Sequence, residues 1–229
     1  MKTKIYFPIC LVLLTGVLLG FTVIETQKDK KPGKWESLIQ NGSTDGWHTY
    51  LNKSPVGWKV ENGILSTIGK QGDIVTDKIY KNFELSLEWK IEAKGNSGIF
   101  INVVEDPKNK RMYETGPEFQ IIDDLNYPQE LTPSQKTGSL SDVIPPNGTR
   151  VKNVGEWNHT RILVNNGQVE HWLNGKKILS YELGSATLKE QIAASKFAKL
   201  PYAQATEGRI GLQDHGGPVF YKNIKIRTL

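Results

Sequence analysis

The chain has 229 residues, a formal net charge of +5 and 38% hydrophobic residues, enough apolar mass for one sizeable core. Two of the positive charges, Lys2 and Lys4, stand at the N-terminus, and through the rest of the chain lysines and acids interleave, which excludes the basic stripe of a nucleic-acid binder. The sole cysteine, Cys10, lies within the first apolar segment, so a chain shorn of that segment has no disulfide, thiolate nucleophile or cysteine metal site.

Residues 1–24 read as a signal peptide, with Lys2 and Lys4 ahead of an almost unbroken apolar run over 5–23. Gly20-Phe21-Thr22 is the one region with small residues for cleavage, which leaves open an uncleaved leader serving as a membrane tether. Cys10 comes too early, and without a small residue before it, to anchor a lipoprotein. On either alternative the protein is expected to be exported, periplasmic or at the cell surface. Residues 25–34, where Lys28-Asp29-Lys30-Lys31 adjoins Pro32-Gly33, read as a solvated linker, and 35–229 as one domain.

From Trp35 onward β-rich runs recur between turn signals, the pattern of an all-β sandwich rather than of βαβ units. In 83–91, Phe83, Leu85, Leu87, Trp89 and Ile91 alternate with Glu84, Ser86, Glu88 and Lys90, as in an antiparallel strand with one face in the core. Asn62-Gly63, Asn166-Gly167 and Asn174-Gly175 carry the residues that tight hairpins demand. Two stretches, 105–115 and 124–154, lack periodicity, and long loops of this kind serve as binding rims or as decoration. Thr187-Leu188-Lys189-Glu190 has the spacing of a capping box and predicts a short helix over 187–198, ended by Leu200-Pro201. The run 219–226 predicts a closing strand that pairs with an early one and brings the domain's ends together.

Glu118-Phe119-Gln120-Ile121-Ile122-Asp123 is the segment richest in chemistry. Regular alternation puts Glu118, Gln120 and Ile122 on one face and Asp123 on the other, whereas a β-bulge after Gln120 would return Asp123 beside Glu118. The polar spacing is similar to the acidic strand of laminarinase-type glycoside hydrolases, but Gln120 replaces an acid there and Asp123 shortens another, which argues against ordinary double displacement. Gly211-Leu212-Gln213-Asp214-His215-Gly216 runs a strand into a glycine-rich turn. Its Asp214 and His215 fit either an oriented acid–base pair or a structural turn in which Asp214 caps backbone amides. His171 alternates with Val169 and Leu173 and reads as a hydrogen-bonded core residue, leaving Trp172 on the opposite face, where an indole can stack on a sugar or simply pack. His48 and His159 lack metal-ligand spacing. No cofactor is called for, and a cation held by oxygen ligands is left undecided.

Taken together these segments resemble the 3-keto-disaccharide hydrolase domain family, also described as 3-keto-glucoside 1,2-lyase and 3-keto-2-hydroxy-glucal hydratase. The matching stretches, in order, include Trp58-Lys59-Val60-Glu61-Asn62-Gly63, Gly95-Asn96-Ser97-Gly98-Ile99-Phe100, Tyr113-Glu114-Thr115-Gly116-Pro117-Glu118 through Asp123, Gly155-Glu156-Trp157-Asn158, Leu173-Asn174-Gly175, Gly211 through Gly216, and Asn223-Ile224-Lys225-Ile226. Essentially everything after residue 34 is covered. The resemblance implies a concanavalin-A-like jelly roll of two antiparallel sheets. It also implies a 3-keto (oxidised) glucoside or disaccharide as substrate, cleaved by C1–C2 elimination and then hydrated to 3-ketoglucose. Glu118, Asp123 (if bulged onto the same face) and His215 are the catalytic candidates it suggests. Gln120, Asn96, Asn158, Gln213, Asp214 and Trp172 are the candidate substrate contacts. Two alternatives stand beside this reading: a non-catalytic carbohydrate-binding module and a conventional glycoside hydrolase.

Overall fold

A computed structural model of the protein describes residues 1, 31–40, 42–52, 57–148 and 150–229. The expected leader over 1–24, with Cys10, and most of the expected 25–34 linker lie outside the described residues. Residues 31–229 form one compact unit, and no helix among the described residues is long and apolar enough to cross a membrane.

In chain order the strands are β1 (Glu36–Ser37), β2 (Trp47–Thr49), β3 (Lys59–Glu61), β4 (Ile64–Thr67), β5 (Ile74–Thr76), β6 (Phe83–Ile91), β7 (Asn96–Val103), β8 (Glu118–Ile122), β9 (Asn158–Asn165), β10 (Gln168–Leu173) and β11 (Lys176–Glu182); helix α1 (Ala186–Ala193) precedes β12 (Arg209–Leu212) and β13 (Val219–Thr228). Two antiparallel sheets result. The larger runs β11-β10-β9-β6-β13-β4-β3, with β1 also paired to β13, and the smaller runs β2-β5-β12-β7-β8. This is the expected jelly roll. The closing strand β13 meets the first strand β1 through Glu36 opposite Ile226, so the domain's ends do come together.

The local chemistry explains the pairing. All three Asn-Gly dipeptides adopt positive φ at both residues, 51° and 76° at 62–63, 49° and 85° at 166–167, and 47° and 82° at 174–175, so each closes a two-residue hairpin whose twist suits its strands. β6 spans the residues its alternation predicts, and Phe83, Leu85, Leu87, Trp89 and Ile91 are all buried. They pack with Ile99 and Ile101 of β7 and Phe119 and Ile121 of β8 in the main core, each such burial contributing ~1.5–3 kcal/mol. The opposite face of β6 is less open than a simple polar face: Glu84 is buried, held by Arg161 at 2.8 Å and Arg227 Nε at 2.7 Å. Charge-assisted bonds of this kind offset the cost of burying the carboxylate.

The helix differs from its predicted span. Ser185, in extended conformation, caps α1 by accepting from Leu188 N–H, and the helix stops at Ala193. The cap is therefore two residues upstream of Thr187. The early stop has a local cause in Ser195, whose hydroxyl donates to Ile192 C=O and accepts from Phe197 N–H, competing with helical bonds.

On the smaller sheet, Ile74, Ile99, Ile101, Phe119 and Ile121 face the core, so the alternate residues Asp73, Val75, Asn96, Gly98, Phe100, Glu118 and Gln120 face outward. At one end of that outer face Val75, Phe100, Val103 and Met112 make a second apolar cluster, which seats the 105–115 segment. At the other end the face stays open.

Candidate active site

The open end is a cavity of about 590 Å³, within the ~300–1,000 Å³ range of small-molecule sites. Glu118, Gln120, Asn96 and Gln213 come from the sheet, Arg111 and Tyr113 from the 105–115 segment, Tyr127, Ser141 and Asp142 from 124–154, and Lys196 from the turn after α1. Both aperiodic stretches therefore act as rims. The second also extends the sheet: Gly138 N–H donates to Gln120 C=O at 2.9 Å and Ser141 N–H to Glu118 C=O at 3.1 Å, which fixes Ser141 where its hydroxyl accepts from Gln120 Nε2 at 3.2 Å.

Glu118 is 5% exposed, and its carboxyl lies flat over β7 at Gly98, where a Cβ would come within 2.2 Å of Oε1. Burial pushes its pKa up to about 8, with Asp142 and Asp73 adding to the rise while a hydrogen bond from Ser141 and the charge of Lys196 oppose it. Glycine at 98 is thus a condition for the carboxyl's position. Gly98→Ala is expected to cut kcat by about tenfold or more through displacement of that carboxyl, on the ~1 Å sensitivity of catalytic geometry; an unchanged kcat in a folded variant would contradict this placement.

Asp73 immediately precedes β5 and falls opposite Gln213 when the β5–β12 register is continued by one pair; it accepts from Asp214 N–H at 3.0 Å. Burial pushes its pKa up to about 6, the Asp214 charge adding to this, while the Asp214 hydrogen bond and the Arg111 charge pull it down. Asp214 itself follows the structural of its two readings. Its carboxylate accepts from Lys70 N–H at 3.0 Å, Gln71 N–H at 2.5 Å, Gly216 N–H at 2.9 Å and the Thr67 hydroxyl at 3.2 Å, tying two turns together at the cavity wall. His215 is exposed at the mouth. Asn96 Oδ1 and Gln213 Oε1 are buried acceptors without a hydrogen-bond partner, an arrangement that calls for a bound group or water.

Three of the expected site residues lie elsewhere. β7 and β8 pair without any register shift from Asn96 opposite Ile122 to Phe100 opposite Glu118, so the bulge that would have brought Asp123 to Glu118 is absent. Asp123 instead caps the following turn, accepting from Lys94 N–H at 2.9 Å, Leu125 N–H at 3.2 Å and Asn126 N–H at 3.1 Å. Against burial, which raises its pKa, these bonds hold it below the usual carboxylate range. Asn158 lines a separate cleft of about 110 Å³ with Asp123, and its Oδ1 accepts from Lys152 N–H and Asn174 Nδ2. Trp172 lies on the outer face of the larger sheet, under the Arg161 guanidinium at 4.1 Å and bonded to Glu170. His171 behind it is buried, with Nδ1 3.0 Å from Gly138 C=O, and burial lowers its pKa to about 4. Asp123→Ala is expected to lower Tm by roughly 2–8 °C, from ~1–2 kcal/mol of lost bonds, with kcat within about twofold of the parent since no cavity group is touched. Loss of turnover in that variant would return Asp123 to the site.

Asp73, Arg111, Tyr127, Asp142 and Lys196 enter the cavity without having stood out in the sequence. For Arg111, Tyr127 and Asp142 the signal was the loop as a whole; Asp73 and Lys196 carried none. Among the described residues no set of three or more His, Cys, Asp or Glu side chains is arranged to hold a metal ion.

Fold and cavity together define a jelly-roll protein that can hold a polar small molecule against a buried carboxyl. The chain belongs to the family described as the 3-keto-alpha-glucoside-1,2-lyase-like domain, whose profile matches residues 34–227. A Bacteroides thetaiotaomicron protein named 3-keto-disaccharide hydrolase is 29% identical over 99% of both chains. Among solved structures, a Parabacteroides distasonis protein provisionally described as a glycosyl hydrolase is 40% identical, with a TM-score of 0.82 over 86% of this chain and 94% of that one. A second protein of that organism and description is 29% identical, with a TM-score of 0.67 over 86% of this chain and all of the other.

Proposed function

We propose that this protein is an exported enzyme that cleaves 3-keto-glucosides by elimination across C1–C2 followed by hydration. The observation that carries the reading is the buried Glu118 carboxyl, held over Gly98 in a cavity of about 590 Å³, in a chain of the 3-keto-alpha-glucoside-1,2-lyase-like family. A ketone at C3 acidifies the C2 proton because the carbanion delocalises onto the ketone oxygen. The reaction then needs a base at C2, an acid at the glycosidic oxygen and positive charge or donors near the C3 oxygen.

The two carboxyl groups divide those roles by their environments, since paired acids whose pKa values are pushed apart mark donor and base. At neutral pH Glu118, raised to about 8, keeps its proton, and Asp73, raised to about 6, is mostly ionised. Asp73 takes the C2 proton; the C1–C2 double bond forms as the C1–oxygen bond breaks; Glu118 protonates the departing oxygen. In the second half Glu118, now ionised, takes a proton from the water that adds to C1, and Asp73 returns a proton to C2. Both groups end as they began. Lys196 and Arg111 supply the positive charge for the C3 oxygen, His215 donates at the mouth, and Asn96, Gln120 and Gln213 hold hydroxyls.

The test offers 3-keto-trehalose and, separately, trehalose to the protein and follows products chromatographically. Release of 3-ketoglucose from the oxidised sugar alone is expected. Glucose from trehalose would indicate a conventional glycosidase, and saturable binding without product a carbohydrate-binding module.

A further inference from the structure

A second group of charged side chains lies outside the cleavage cavity, at the β2 edge of the smaller sheet, where His48 pairs with Val75 and shares its outward face. The His48 ring stands between two carboxylates, with Nδ1 2.5 Å from Asp77 Oδ1 and Nε2 2.9 Å from Glu105 Oε2. Arg209 Nε of β12 lies 2.7 Å from the same Glu105 oxygen, and Leu51 N–H donates to the other at 2.8 Å. We propose that His48 is a positioning residue for cleavage: it fixes Glu105, the first residue of the 105–115 rim, and through that rim the aim of Arg111 at the cavity. The inference rests on the reading that Arg111 supplies positive charge to the reacting sugar.

The chemistry of the ring comes first. Carboxylate oxygens only accept, so His48 satisfies both partners only with a proton on each nitrogen, as an imidazolium between two anions. The His48 and Glu105 side chains are 14% and 16% exposed, too enclosed for the solvent screening that makes open ion pairs worth little, and their bond is charge-assisted. Arg209 is itself held, its Nη1 donating to Thr76 C=O at 2.8 Å and to Asp77 C=O at 2.5 Å. Glu105 is therefore gripped by groups from β2, from the turn after it and from β12.

That grip lies where the rim leaves the sheet. Between the pairs Val103–Arg209 and Phe100–Gly211, β7 carries one residue more than β12, and Asn102 there takes a φ of 51°; the bulge bends the strand end and Glu105 receives the departing chain. At the far end of the arc Met112 is buried in the second apolar cluster. Arg111 stands between these anchors, and among the described residues no hydrogen bond or ion pair holds its guanidinium, so its aim follows the backbone. Met112 fixes one point of the arc; Glu105 fixes its direction. The remaining tie, from the Tyr50 hydroxyl to Asn109 C=O at 3.0 Å, depends on the same contact: Tyr50 precedes Leu51, whose φ of 59° is unfavourable to leucine and is kept by the bond from its N–H to Glu105.

Initial rates are measured on 3-keto-trehalose for the parent, His48→Ala, Arg111→Ala and the double variant, with Tm recorded for each. Arg111→Ala is expected to lower kcat by about 10²-fold with KM within about threefold. His48→Ala is expected to lower kcat by about tenfold with KM nearly unchanged, and to have less than about twofold further effect once Arg111 is alanine, because its influence runs through that side chain. Glu105→Gln keeps an oxygen for Leu51 N–H but turns an amide nitrogen toward His48 and Arg209; it is expected to match His48→Ala and takes its place if that variant does not fold. Effects of the His48 and Arg111 substitutions that multiply, or a parental kcat in folded His48→Ala or Glu105→Gln, would overturn the inference and leave the cleavage reading intact. A parental kcat in Arg111→Ala would overturn the role of Arg111 and the inference with it, and a parent that does not turn over 3-keto-trehalose would overturn both readings.

Discussion

Glu118→Gln is expected to lower kcat on a 3-keto-glucoside by about 10³-fold with little change in KM or Tm. The amide keeps the shape of the carboxyl over Gly98 and can still bond Ser141, so packing survives, but it cannot give and retake the proton of the leaving oxygen. Removing a group that acts in the transition state rather than in ground-state binding should appear in kcat and kcat/KM alike. The residual activity should lose the alkaline limb of the pH profile. In the parent that limb falls through about pH 8, because above it Glu118 ionises and the leaving oxygen finds no proton donor. A folded Glu118→Gln variant within about tenfold of parental kcat would remove Glu118 from catalysis.

Asp73→Asn is the complementary change. It should lower kcat by about 10²–10³-fold and abolish the acid limb, which in the parent rises through about pH 6 as Asp73 ionises and becomes a competent base. The two limbs make kcat a bell whose maximum lies between those values. The amide also keeps an oxygen able to accept from Asp214 N–H, so the turn that Asp214 organises should survive. If Asp73→Asn kept an acid limb unchanged near pH 6 and most of its activity, the base would have to be sought elsewhere, and His215 at the mouth would be the next group to replace.

These assignments show where sequence and structure part. The periodic features were legible because they depend on local geometry alone: the two-residue alternation of β6, the paired positive φ angles of each Asn-Gly, and the outward face shared by Glu118 and Gln120. The core role of His171 followed from the same alternation. Asp123 misled because its face depends on whether β8 bulges, and that is settled by the register with β7, where Gly98 must sit opposite Gln120. Asn158 and Trp172 carry side chains as suited to sugars as any, but strand position put one at a loop-anchoring site and the other behind the opposite sheet. Asp73 was silent because nothing in Gly72-Asp73-Ile74 announces that the pairing of β5 with β12 will bring it opposite Gln213. Lys196 was silent for a related reason: it reaches the cavity only because α1 stops early and an ion pair with Asp142 holds the following turn against the rim.

On this mechanism Asp73 removes the C2 proton during cleavage and, after exchange with solvent, a solvent-derived one takes its place. The most direct measurement is proton NMR of the reaction with 3-keto-trehalose in deuterated water, compared with 3-ketoglucose incubated alone for the same time. Newly formed 3-ketoglucose is expected to carry deuterium at C2 beyond that slow exchange, with the label absent from recovered trehalose controls. Product that forms at full rate with C2 still protonated would contradict elimination and leave direct hydrolysis at C1 in its place.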